Sequence, residues 1–109
     1  MNDELEKNFA VAEQWSKTFK LMGDPTRLKL LSAIHFAGQY AYAVTELAEA
    51  TGIRMATASA SLRAMEQTGI VASSREGRVI RYGITDERVH QLLHLSLIHI
   101  SEPTRLLSI

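Results

Sequence analysis

From Asn8 to Met22 the apolar residues Phe9, Val11, Ala12, Trp15, Phe19 and Met22 recur every three or four positions. That spacing predicts an amphipathic helix. Gly23 is placed to end it, Asp24 to cap a second helix and Pro25 to occupy that helix's first position. The second helix carries Leu28, Leu31, Ile34 and His35 or Phe36, and is expected to stop near Gly38. A loosely apolar stretch from Gln39 to Val44 leads to Thr45, which reads as the cap of a short helix from Glu46 to Ala50, closed by Thr51-Gly52. A further helix, rich in alanine and serine, is predicted from Met55 to Gln67, ending at Thr68-Gly69. The pattern then changes. Ile70–Arg75 and Val79–Ile84 are rich in strand formers and flank Glu76-Gly77-Arg78, which predicts a hairpin with glycine at its tip. Thr85 or Asp86 caps a last helix, in which Val89, Leu92, Leu93, Leu97 and Ile98 make an apolar stripe.

A short helix, a glycine turn and a second helix, followed by a hairpin, is the order of a winged helix-turn-helix. The expected fold class is mainly α with a small β-hairpin, in the order α-α-α-α-β-β-α. The outer helices carry more apolar surface than one short core can cover, so a two-fold partner meeting the first and last helices is expected.

At 109 residues with 46% apolar side chains, the chain supports one core and therefore one domain, read as 1–95 with a tail over 96–109. The absence of cysteine excludes disulfides, thiolate metal sites, thiol redox sensing and a cysteine nucleophile. No apolar run approaches the roughly 18 residues of a membrane span, and the acidic start lacks the form of an export signal. A cytoplasmic protein with no membrane partner is expected.

Twelve basic and twelve acidic residues cancel, so any attraction to nucleic acid must come from their distribution. Between Arg54 and Arg81 five arginines face two glutamates, whereas residues 1–17 hold four acids and two lysines. Positive charge therefore gathers on the helix and hairpin predicted to meet DNA. On that helix Thr57, Ser59, Ser61 and Arg63 offer short hydrogen-bonding or cationic groups for base edges and phosphates, while alanines keep it slim. Arg54, Arg75, Arg78 and Arg81 complete the candidate set, with Arg78 at the tip suited to phosphate or minor-groove contact. The same residues also describe a solvated helix beside an ordinary hairpin, and a winged helix used only for protein–protein association is the alternative function. No glycine-rich phosphate loop and no nucleophile paired with a base is visible, so no enzymatic activity is expected.

The run from Phe19 to Leu31, containing Gly23-Asp24-Pro25-Thr26-Arg27-Leu28, resembles the signature of the arsenic-repressor (ArsR/SmtB) family. Val44–Ala48 and Thr57–Met65 resemble its helix-turn-helix, and Gly77–Tyr82 its wing. The resemblance implies a homodimeric regulator of transcription that binds a palindromic operator in double-stranded DNA, commonly as a repressor released by an effector. Two positions depart from the family pattern. Ala60 stands where many members have histidine or glutamine on the recognition helix, and Arg88 stands where the last-helix metal site has a histidine.

Asp86, His90 and His94 nevertheless recur at four-residue spacing along one face of the last helix, a candidate site for zinc, nickel or cobalt as effector. His35 on the second helix is expected to be a partly buried histidine bonded to protein. Beyond about His94 no cap is evident and Pro103 interrupts any helix. This stretch resembles a translated sequencing-adapter tail, so a non-native ending is expected there.

Overall fold

The computed structural model describes residues 2–100, with side chains described as far as Ser96. The tail over 101–109, and the expected stripe positions Leu97 and Ile98, lie outside the described residues or side chains.

Among the described residues five helices and one hairpin follow in the predicted order: α1 (Asp3–Met22), α2 (Pro25–Ala37), α3 (Val44–Thr51), α4 (Met55–Gln67), β1 (Val71–Glu76), β2 (Val79–Ile84) and α5 (Glu87–Ile100). α1 begins five residues earlier than the apolar stripe suggested, because the Asn2 side chain accepts from the Glu4 N–H at 2.8 Å and Asp3, Glu4 and Glu6 suit the positive end of the helix dipole. The α1–α2 junction forms as predicted. Asp24 accepts from the Arg27 N–H at 2.9 Å with Pro25 in the first turn, and Arg27 Nε reaches back to the Leu21 carbonyl at 3.0 Å. α3 departs from expectation at its start: Ala43 is the N-cap, and the Glu46 carboxylate accepts from the Ala43 N–H at 2.9 Å. Thr45 therefore lies inside the first turn, its capping role replaced by a glutamate reaching back from the third helical position.

The hairpin is antiparallel, with Val71 opposite Ile84 and Glu76 opposite Val79. That register leaves Gly77-Arg78 as a two-residue loop, and Gly77 takes a φ of 62° at its first position, as a type II′ turn requires. Gln39 holds the other end of β2. Its side-chain amide donates to the Ile84 carbonyl at 2.6 Å and accepts from the Ile84 N–H at 2.7 Å, copying a strand pair on the outer edge. Beside it Tyr40, at a left-handed φ of 58°, donates its N–H to the Tyr82 carbonyl and lays its ring over Gly83. The loop after α2, read from sequence only as loosely apolar, thus serves as an edge for the wing.

One core joins these elements. Leu30, Leu31 and Ile34 of α2 meet Leu47 of α3, Leu62 and Met65 of α4, Val71 of β1 and Val89 and Leu93 of α5. Each fully buried leucine contributes about 1.5–3 kcal/mol. Helix α1 stands apart: only Thr18 is buried, while Phe9 and Phe19 keep more than half their surface exposed.

Candidate nucleic-acid interface

Helix α4 anchors through Ala58, Leu62 and Met65, which recur at turn spacing and are buried. The opposite side is exposed and carries Ala56, Ala60, Arg63, Ala64 and Gln67. Three alanines there let the backbone approach a groove closely, and Arg63 and Gln67 supply the reaching hydrogen-bonding groups. Gln67 was missed in the sequence reading, although its spacing from Ala56, Ala60 and Arg63 puts it on the same face.

The small polar residues divide between the two flanks. Ser59, half-buried, lines a hollow of about 260 Å³ together with Thr45, Met55 and Arg78, so the recognition helix, the start of α3 and the wing tip converge there. Thr57 and Ser61 line a different hollow, beside Asp24, Thr26 and Arg27 at the α1–α2 junction. Ser61 is half-buried on that inner flank, so the expectation that both serines face the groove together does not match their placement. The reason is the buried stripe itself: two residues apart on a helix are about 200° apart, and fixing Leu62 inward sends Ser59 and Ser61 to opposite sides.

Arg54 is the exposed N-terminal cap residue of α4. On the wing, Ser74 pairs with Arg81 and Arg75 with Ile80, so Arg75 and Arg81 project from opposite faces of the hairpin. Arg81 lies 3.7 Å from the exposed Glu76 carboxylate, a contact of little energetic weight in water. Arg78 is exposed at the tip. The wing is held at a set angle to α4 by Glu66, whose carboxylate accepts from the Ser73 N–H at 3.2 Å and the Ser73 hydroxyl at 2.6 Å. Burial of the Tyr82 phenol, with the Glu66 carboxylate close by, pushes its pKa above the ordinary tyrosine value, partly offset by Arg63.

The candidate metal residues are dispersed differently from expectation. The Asp86 carboxylate accepts from the Val89 N–H at 3.0 Å and so caps α5. His90 and His94 stack along α5, and His35 of α2 faces both rings. Arg88 also has an occupation of its own: it donates to the Gln14 side chain at 2.8 Å and lies over the Trp15 ring, tying α5 to α1.

A family model described as a helix-turn-helix domain matches residues 22–74, spanning the junction, both helices of the motif and the start of the first strand. The chain is 32% identical over 87 residues to the cadmium resistance transcriptional regulatory protein CadC homolog of Staphylococcus aureus, covering 80% of this chain and 70% of that one. It is 34% identical over 88 residues to the HTH-type transcriptional regulator NmtR of Mycobacterium tuberculosis, covering 81% and 71%. Among solved structures, the homodimeric winged helix-turn-helix DNA-binding domain Mb0332 of Mycobacterium bovis, a possible ArsR-family regulator, superposes with a TM-score of 0.65 at 31% identity, covering 95% and 91%. The chain belongs to the ArsR/SmtB family of winged helix-turn-helix transcriptional regulators.

In this ArsR/SmtB chain α3 and α4 are the helix-turn-helix and β1–β2 the wing, so the exposed face of α4 and the hollow shared with Arg78 are the candidate DNA-binding side. The family's dimer helices correspond to α1 and α5, which here leave Leu5, Phe9, Phe19 and Leu95 exposed. Among the described residues no helix is long and apolar enough to cross a membrane.

Proposed function

We propose that the protein is a cytoplasmic, non-enzymatic repressor that binds a palindromic operator as a homodimer. In this reading Ala56, Ala60, Arg63 and Gln67 present the slim face of α4 to the major groove. Ser59 reads or positions from the wing-side flank, and Arg54 and Thr57 reach the backbone at the start of the helix. Arg75, Arg78 and Arg81 contact phosphates, each from its own side of the wing. The observation that carries the reading is the convergence of Ser59, Thr45 and Arg78 on one hollow beside an arginine-bearing helix face. The unpartnered apolar residues of α1 and α5 supply the two-fold contact, which sets two recognition helices at one spacing and makes the operator palindromic.

The test is a fluorescence-anisotropy titration against the inverted-repeat DNA upstream of the protein's own gene and against scrambled duplex, at low and moderate salt. Tight, sequence-preferring and salt-sensitive binding is expected. Absence of binding to either duplex overturns the proposal in favour of a winged helix that serves protein association alone.

A further inference from the structure

Two large apolar side chains stand exposed on the face that also carries the candidate DNA-binding arginines. Met55, the first residue of α4, is 46% exposed, and Val79, the first residue of β2, is 39% exposed. A single apolar side chain on a surface calls for no account. These two come from different elements, yet both line the hollow of about 260 Å³ between α3, α4 and the wing, as does the half-buried Ile80. Thr45, Ser59 and Arg78 border the same hollow, which therefore joins an apolar wall to two hydroxyls and a cation.

The place of the hollow decides what can fill it. Met55 follows the cap residue Arg54 at the N-terminal end of α4, and that end of a recognition helix is the one that meets base edges in the major groove. A phosphate set against the apolar wall would lose water without gaining a hydrogen bond. It is drawn instead to the hydroxyls and to Arg78. Base edges in the major groove present hydrogen-bonding groups, and the apolar group they offer is the C5-methyl of thymine. An apolar wall at this end of α4 therefore suits a thymine, with its neighbouring phosphate at the polar rim.

We propose that Met55 and Val79 are specificity-determining residues that enclose the C5-methyl group of a thymine at one position in each operator half-site, while Thr45, Ser59 and Arg78 hold the phosphate beside it. The inference rests on the proposed function and deepens it by naming a base that this face selects. Burying one methyl group changes affinity about fourfold. A two-fold dimer makes the contact twice, which gives about fifteenfold for the pair of half-sites.

The experiment measures anisotropy of the full chain on the inverted-repeat duplex upstream of its gene, with thymines replaced by deoxyuridine one symmetric pair at a time. That replacement removes the methyl group and keeps every hydrogen-bonding edge. Wild type should lose about fifteenfold at one symmetric pair of positions. Met55→Ala and Val79→Thr should bind the parent duplex more weakly and lose most of the sensitivity at that same pair, as side chains in contact with the methyl group must. Their slope of log affinity against log salt should equal that of wild type, because no charge is removed. Both side chains are more than one-third exposed, so neither replacement opens the core, and thermal melting identifies any loss that comes from folding. Binding of every uracil-substituted duplex within about twofold of the parent overturns the methyl contact and leaves the regulator reading standing. A uracil effect of full size in both variants overturns the assignment to Met55 and Val79. Failure to bind the parent duplex overturns the regulator reading, and this inference with it.

Discussion

Arg78 occupies the exposed tip of a two-residue loop and borders the hollow that Ser59 and Thr45 also line. Replacing it with alanine removes one cation per protomer and two per dimer, with no buried contact disturbed. If both arginines neutralise phosphates, each releases close to one condensed counterion. The slope of log affinity against log salt should then become shallower by about 1.8. Between about 50 and 200 mM salt the wild type should lose roughly 12-fold more affinity than the variant. The assay is anisotropy on one inverted-repeat duplex at four or more salt concentrations, with the dimer concentration held fixed. A uniform weakening on operator and scrambled DNA is also expected, because a tip that grips phosphates carries no sequence information. An Arg78→Ala protein whose salt slope equals that of wild type would refute the placement of the wing tip on the DNA backbone.

The two serines of α4 should behave differently. Ser59→Ala is expected to reduce discrimination between operator and scrambled duplex, whereas Ser61→Ala, on the flank beside Asp24 and Arg27, should leave discrimination intact. Equal losses from both would show that the flank assignment is wrong. A methyl group added at Gly83 would come within 2.7 Å of the Tyr40 ring, so Gly83→Ala should destabilise by about 1–3 kcal/mol. Urea denaturation of the Gly83→Ala, Tyr40→Ala double variant should show much of that loss recovered. Gln39→Ala removes two bonds, of 2.6 and 2.7 Å, from the buried Ile84 backbone, and about 2 kcal/mol should be lost in the same assay. The raised Tyr82 pKa favours the protonated phenol in the folded state, so its contribution is fully present below pH about 10 and declines as pH rises further. Tyr82→Phe should therefore flatten the alkaline limb of a stability–pH curve, and an unaltered limb would assign that loss to other groups.

Much of the fold was legible because its signals are local. The Asp24-Pro25 start of α2, the bounds of α4 and the glycine at the wing tip each follow from what a few adjacent residues allow. The start of α3 was displaced because Thr45 and Glu46 both suit a helix N-terminus, and the choice fell to a reach-back bond from Glu46. Family membership was legible for a related reason: the junction, the motif and the wing are contiguous runs.

What only the tertiary structure decided concerns residues distant in the chain. Gln39 and Ile84 are 45 positions apart, and nothing in either neighbourhood announces that one completes the edge of the other. His35 was expected to be a partly buried histidine bonded to protein, and it is partly buried, but the rings it meets lie on a helix more than fifty residues later, brought near only by the packing of α2 against α5. Ser59 and Ser61 look equivalent in sequence, and the burial of Leu62, which follows them, sends them to opposite flanks. Periodicity and caps act within a few turns and so determined the elements; which side chains meet depended on how a single core closed around Leu30, Leu47 and Leu62.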